Sequence, residues 1–140
     1  MDGLRHRPNF VCRRIADDLL AGADCVGQGD SNRVFELRVY HALPSKWPAL
    51  ESRFRDTTSK LLAKHNLNVV GYWVSEDASA SDNTFIWVVA YSSREEGKKN
   101  WDAMRADPDF QEVIRAEQAE ELVEKVDVTY MSPTNFSPIK

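Results

Sequence analysis

From Val34 to Tyr40 apolar and polar residues alternate: Phe35, Leu37 and Val39 fall on one side, Glu36, Arg38 and Tyr40 on the other. Period two over seven residues predicts a strand. The period then changes. Trp47, Leu50, Phe54, Leu61 and His65 recur at helical spacing, with Thr57 or Thr58 filling the gap in the stripe. This predicts one helix over Lys46–His65, with Ser45 as N-cap, Pro48 in the first turn and Asn66 as the left-handed stop. Val69–Val74 reads as a second strand and Thr84–Tyr91 as a third. The polar stretch Glu76–Asn83 between them is too long for a tight hairpin turn. The third strand is apolar on both faces, which places it inside the sheet. Ser93-Arg94-Glu95-Glu96 has the spacing of a capping box and opens a helix with Gly97, Trp101 and Met104 on its inner side. Asp107-Pro108 restarts the chain as N-cap and first helical residue, followed by a stripe of Phe110, Val113 and Ile114. Leu122–Met131 supplies the fourth strand, and Ser132–Lys140, with two prolines, is expected to leave the fold.

The order is β-α-β-β-α-β, which predicts an α+β class fold, a ferredoxin-like sandwich of four antiparallel strands with helices on one face. The bare face of such a sheet would expose apolar residues of the third strand, which soluble monomers rarely do. A homodimer built through the sheet faces is expected. Residues 1–31 have no such period. Asp17-Asp18 break their apolar patch, so no signal peptide is expected, and Gly27 to Asn32 reads as a linker. The predicted organisation is a flexible tail at 1–31 and a single domain at 32–140.

The chain's 140 residues, 42% hydrophobic and 29% charged, fit one globular domain. A net charge of −4 gives no basic excess for a phosphate backbone, so nucleic acid is not an expected partner. No apolar run reaches the ~20 residues of a membrane span. The two cysteines, Cys12 and Cys25, have no metal-ligand spacing, so no metal is expected. A reducing, cytoplasmic setting fits this cysteine usage. No cofactor is implied by the residues.

His65 lies on the helix stripe in the last turn, and it is the candidate general base or ligand contact, against a capping role. Tyr40, Tyr72, Trp73, Trp87 and Trp101 are candidate pocket walls for a small planar aromatic molecule, although aromatics in strands more often fill a core. Glu36 and Arg38, joined by Asp127 on the last strand, are expected to form an ion network inside the dimer. The acidic run Glu117 to Glu124 reads as a solvated helix end. No phosphate loop, nucleophile elbow or H-E-x-x-H pattern occurs.

Several segments resemble the NIPSNAP family, in particular its single-domain bacterial members. They are Phe35-Glu36-Leu37-Arg38-Val39-Tyr40, Lys64-His65-Asn66 with Val70-Gly71-Tyr72-Trp73, Trp101 to Phe110, and Pro133-Thr134-Asn135-Phe136-Ser137-Pro138-Ile139-Lys140. The chain departs from the family at Ser45 and Asn66, where glycine is usual, and at Thr57, where histidine is frequent. The resemblance implies a dimeric α/β-barrel, in which two four-stranded sheets close on each other. Two functional readings follow. The first is a homodimeric small-ligand-binding or interaction protein with no assembled catalytic set. The second, resting on the fold alone, is a cofactor-independent monooxygenase or isomerase acting on an aromatic or quinone-like molecule, with His65 as base.

Overall fold

The computed structural model describes residues 33–77 and 83–140. The tail expected at 1–31 and most of the polar loop before the third strand lie outside the described residues. The elements are β1 (Val34–Ala42), α1 (Trp47–Arg53), a π-helical turn (Phe54–Thr58), α2 (Ser59–Lys64), β2 (Asn68–Val74), β3 (Thr84–Tyr91), α3 (Arg94–Ala106), α4 (Pro108–Glu120) and β4 (Val123–Met131). The sheet runs β2-β3-β1-β4 and every pairing is antiparallel, the ferredoxin-like order. β3 is an inner strand, as its two apolar faces require.

The helix expected over Lys46–His65 forms, but its middle widens. Ser59 N–H reaches back five residues to the Phe54 carbonyl. Ser45 is not the N-cap. It sits in a left-handed turn at φ 66°, and Lys46 caps without a side-chain bond. Asn66 stops the helix at φ 55°, as expected. Ser93 Oγ accepts from Glu96 N–H at 3.1 Å, while the Glu96 carboxylate takes Ser92 N–H, one residue earlier than a capping box prescribes. Asp107 caps α4 by accepting from Asp109 N–H at 2.9 Å, with Pro108 in the first turn.

Register assigns the two sheet faces. Arg38 pairs with Trp87 and Val128, and Tyr40 pairs with Phe85 and Val126, so these side chains share one face. That face carries the helices. Its core is Phe54, Leu61, Leu62, Phe85, Trp87, Val89, Tyr91, Trp101 and Met104. α3 comes closest at Gly97, where an added Cβ would stand 2.9 Å from the Tyr91 ring. The opposite face holds Leu37, Val39, Ile86 and Val88, which are only half-buried, and no described helix covers it. Trp73 lies flat on that face over Gly71, where a Cβ would meet the indole at 2.8 Å.

Of the expected ion network of Glu36, Arg38 and Asp127, the Glu36–Arg38 pair forms at 2.7 Å and Asp127 takes no part in it. Glu36 and Arg38 point to the helices. Asp127 pairs in register with Val39 on the other face, where it bonds His41 at 3.0 Å and Lys125 at 2.8 Å. The polar set of β1 faces the helices and not the open side of the sheet. Tyr91 and Trp101 supply donors for Glu36 on the helix side, while Leu37 and Val39 on the other face stay half-buried and Phe35 is buried. The C-terminal residues also do not leave the fold. A turn closed by Ser137 N–H to the Thr134 carbonyl brings them back, and Arg33 donates to the Lys140 main-chain carbonyl. Pro133 and Ile139 then border a shallow depression over Phe35.

Candidate functional site

The π-helical turn organises the space between helices and sheet. A π turn adds a residue to the helix and costs stability, so it persists mostly where it aims side chains. Here it buries both Phe54 and Thr58 against the sheet, while Thr57 faces solvent. Arg53, just before the turn, reaches inward as well. Its side chain is 12% exposed and forms an ion pair with Glu117 of α4. Glu117 therefore belongs to the helix layer and not to a solvated helix end.

A cavity of about 310 Å³ lies between these groups and the sheet. Tyr40, Phe54, Trp87, Trp101, Met104 and Phe110 form its apolar walls. Tyr40 and Phe54 meet edge to face at 5.4 Å, and Trp87 stands 6.3 Å from Trp101. The remaining lining includes Arg38, Arg53, Thr58 and Arg105. Volume and lining are in the range of small-ligand sites, which are mostly apolar with a few placed polar groups.

One end of the cavity is closed by a saturated polar cluster. Glu36 is fully buried. It accepts from Arg38 Nε at 2.7 Å, from Trp101 Nε1 at 2.9 Å and from the Tyr91 hydroxyl. Burial, then the bond to Glu36, pushes the Tyr91 hydroxyl far above the ordinary phenol range. The Arg38 guanidinium stacks on Trp101 at 4.1 Å and lies 5.6 Å from Trp87. Burial works against its charge, but Tyr40 and Glu36 outweigh that, and its pKa lies above the usual value. For Arg53 burial prevails over the help from Tyr40 and the pKa is lowered. Arginine stays protonated in proteins regardless.

The other polar groups on the wall are not saturated. Arg53 Nε, Thr58 Oγ1 and Trp87 Nε1 are buried and have no hydrogen-bond partner among the described residues. Thr58 is 3% exposed and Trp87 1%. Most buried polar groups in native proteins are paired, so three around one cavity without a partner among the described residues mark it as a place for a bound group.

The pocket residues expected from the sequence separate into three places. Tyr40, Trp87 and Trp101 line the inner cavity. Tyr72 and Trp73 line a second, open groove of about 400 Å³ at the β2 edge, with Trp47, Phe54 and Phe85. Its aromatic walls are well formed, Tyr72 stacking on Phe85 at 5.8 Å, but it holds none of the buried unpaired donors. His65 lines neither. Its Nε2 bonds Asp107 at 2.7 Å, next to Lys64 Nζ on the same oxygen. Lys64 first, then His65 and Asp109 N–H, hold the Asp107 carboxyl well below the usual carboxylate range. His65 ties α2 to the cap of α4. Arg53 and Thr58 escaped the sequence reading. Thr58 could have been chosen over Thr57 only by knowing of the π turn, which leaves no mark in the periodicity. Among the described residues no group of three or more His, Cys, Asp or Glu is arranged to hold a metal.

Comparison with solved structures finds the same architecture. A NIPSNAP-family protein of unknown function from Agrobacterium tumefaciens superposes with a TM-score of 0.71 at 23% identity, over 80% of this chain and 97% of that one. A NIPSNAP-like domain protein from Burkholderia xenovorans gives 0.68 at 18% identity, over 77% and 90%. A variant of SnoaB, a cofactor-independent oxygenase from Streptomyces nogalater, gives 0.54 at 15% identity, over 76% and 98%, a likeness of fold alone. No curated protein matches. The NIPSNAP sequence profile matches residues 35–138, so with the four-stranded sheet and its helix layer in place, the chain belongs to the NIPSNAP family.

Proposed function

We propose that the protein is a homodimeric small-molecule-binding protein whose ligand is a planar aromatic molecule seated between the π turn and the sheet. The observation that carries this reading is the inner cavity itself, with aromatic walls and three buried polar groups that have no partner among the described residues. Burying an unpaired donor costs about 1–3 kcal/mol, and a bound molecule would remove that cost. The dimer is supported by the bare apolar face of Leu37, Val39, Ile86 and Val88. No base stands on the cavity wall to activate a substrate, since His65 is bound to Asp107 outside it, so binding is favoured over oxygenase chemistry. Native mass spectrometry of protein purified from its own host tests both parts together. The expected species is twice the 16.0 kDa of one chain plus the mass of a retained small molecule. A ligand-free monomer would contradict the reading.

A further inference from the structure

We infer that the ligand of the inner cavity carries an oxyanion, a carboxylate or a phenolate, on its aromatic ring, and that Arg53, Thr58 and Trp87 receive it. The inference rests on the cavity reading above and adds the sign of the ligand's charge. The unpaired atoms are Arg53 Nε, Thr58 Oγ1 and Trp87 Nε1. Two can only donate, and the hydroxyl can do so. Arg53 and Thr58 reach the cavity from the helix side and Trp87 from the sheet, and with Arg38 and Arg105 three guanidiniums border the space. No carboxylate lines it. Glu36 has its oxygens occupied by Arg38, Tyr91 and Trp101, and Glu117 is held by Arg53. A ligand cation would face three guanidiniums, and a ligand N–H would find only the Thr58 hydroxyl able to accept among the three unpaired groups. A ligand oxygen with negative charge meets complementary donors, and charge-assisted hydrogen bonds are about twice as strong as neutral ones.

A separate depression over α3 shares Trp101 and Arg105 with the cavity and is bordered by Arg94, Glu95 and Lys98, with Lys98 and Arg105 both paired to Asp102. The aromatic part of the ligand is placed by the other walls. Tyr40, Phe54 and Trp87 pack against one another at ring separations of 5.4 to 6.1 Å and together present an aromatic surface to the cavity. Thr58 belongs to the receiving set because none of the described residues uses its hydroxyl. A threonine retained there for packing alone could equally be valine.

The test is a titration of the full-length protein with matched probes: 2-naphthoate, its neutral amide 2-naphthamide, and 4-nitrophenol, whose visible absorbance reports the phenolate. The expected result is naphthoate binding roughly tenfold tighter than the amide, and a bound nitrophenol that ionises at lower pH than free. A lowered nitrophenol ionisation without naphthoate preference assigns the site to phenolates, and the reverse to carboxylates. Thr58→Val should weaken the anionic probe severalfold and the amide little, with an unchanged or higher melting temperature. Arg53→Lys, which keeps a charge for Glu117 but removes Nε, should do the same. Equal affinity for acid and amide together with an unshifted nitrophenol ionisation would overturn the charge inference and leave the cavity standing. Binding of neither probe at millimolar concentration would overturn both. A Thr58→Val protein that melts several degrees early would show the hydroxyl to be structural and remove it from the receiving set.

Discussion

Glu36 has no exposed surface, and three donors, from Arg38, Tyr91 and Trp101, converge on its two oxygens. A buried charge with its partners in place is tolerated, and one stripped of a partner is not. Arg38→Met should therefore destabilise the protein by about 3–5 kcal/mol in urea unfolding. Arg94→Met, which removes only an exposed stack on Tyr130, should cost about 0.5–1 kcal/mol. Similar small losses at both sites would mean that Arg38 is hydrated. Asp107 offers a pH handle. Its carboxyl is depressed in the fold by Lys64, His65 and Asp109 N–H, whereas in the unfolded chain it titrates near about 4. A depressed carboxylate adds stability that is complete above its unfolded pKa and is lost as pH falls below it toward the folded value. Between about pH 5 and pH 3 the native protein should lose more stability than Asp107→Asn. Parallel curves would show that the cluster contributes nothing to folding.

The elements were legible where one periodicity covered the whole segment. β1, β3, α3 and α4 follow from alternation, the Ser93 and Asp107 caps and Pro108, because these signals act within a few residues. The pieces not legible depend on layers. Polarity alone put Glu36 and Arg38 on the dimer side. Only the arrival of Tyr91 and Trp101 across the sheet makes the helix side the polar one. The π turn is a second case. Leu50, Phe54 and Leu61 keep a helical stripe with or without it, so the sequence leaves Thr57 and Thr58 equivalent, and the extra residue turns Thr58 inward. Of the site, the aromatic walls Tyr40, Trp87 and Trp101 were readable as apolar residues, while its donors were not. Ser45 tests the local reading of the helix start. Left-handed backbone costs a serine about 1 kcal/mol more than a glycine, and asparagine pays less. Ser45→Gly should raise stability by up to about 1 kcal/mol and Asn66→Gly should change it little, both read as melting temperature. A destabilised Ser45→Gly would show that the serine side chain does more than close the turn.

At the scale of the molecule, two surfaces of one sheet divide the work. The helix face encloses a saturated polar cluster, an aromatic-walled cavity and a set of donors without partners among the described residues. The other face offers Leu37, Val39, Ile86 and Val88 to a second copy in the proposed dimer. No described helix is long and apolar enough to cross a membrane. The central claim is that a small aromatic molecule enters the inner cavity and not the larger groove at the β2 edge. The four tryptophans report on this directly, because Trp87 and Trp101 line the cavity and Trp47 and Trp73 line the groove. The measurement is the set of four indole N–H resonances of the ¹⁵N-labelled protein during titration with 2-naphthoate, each assigned by its Trp→Phe variant. Trp87 and Trp101 should shift, Trp87 most, as its idle N–H gains an acceptor. A titration that moves only Trp47 and Trp73, or none of the four, would contradict the account.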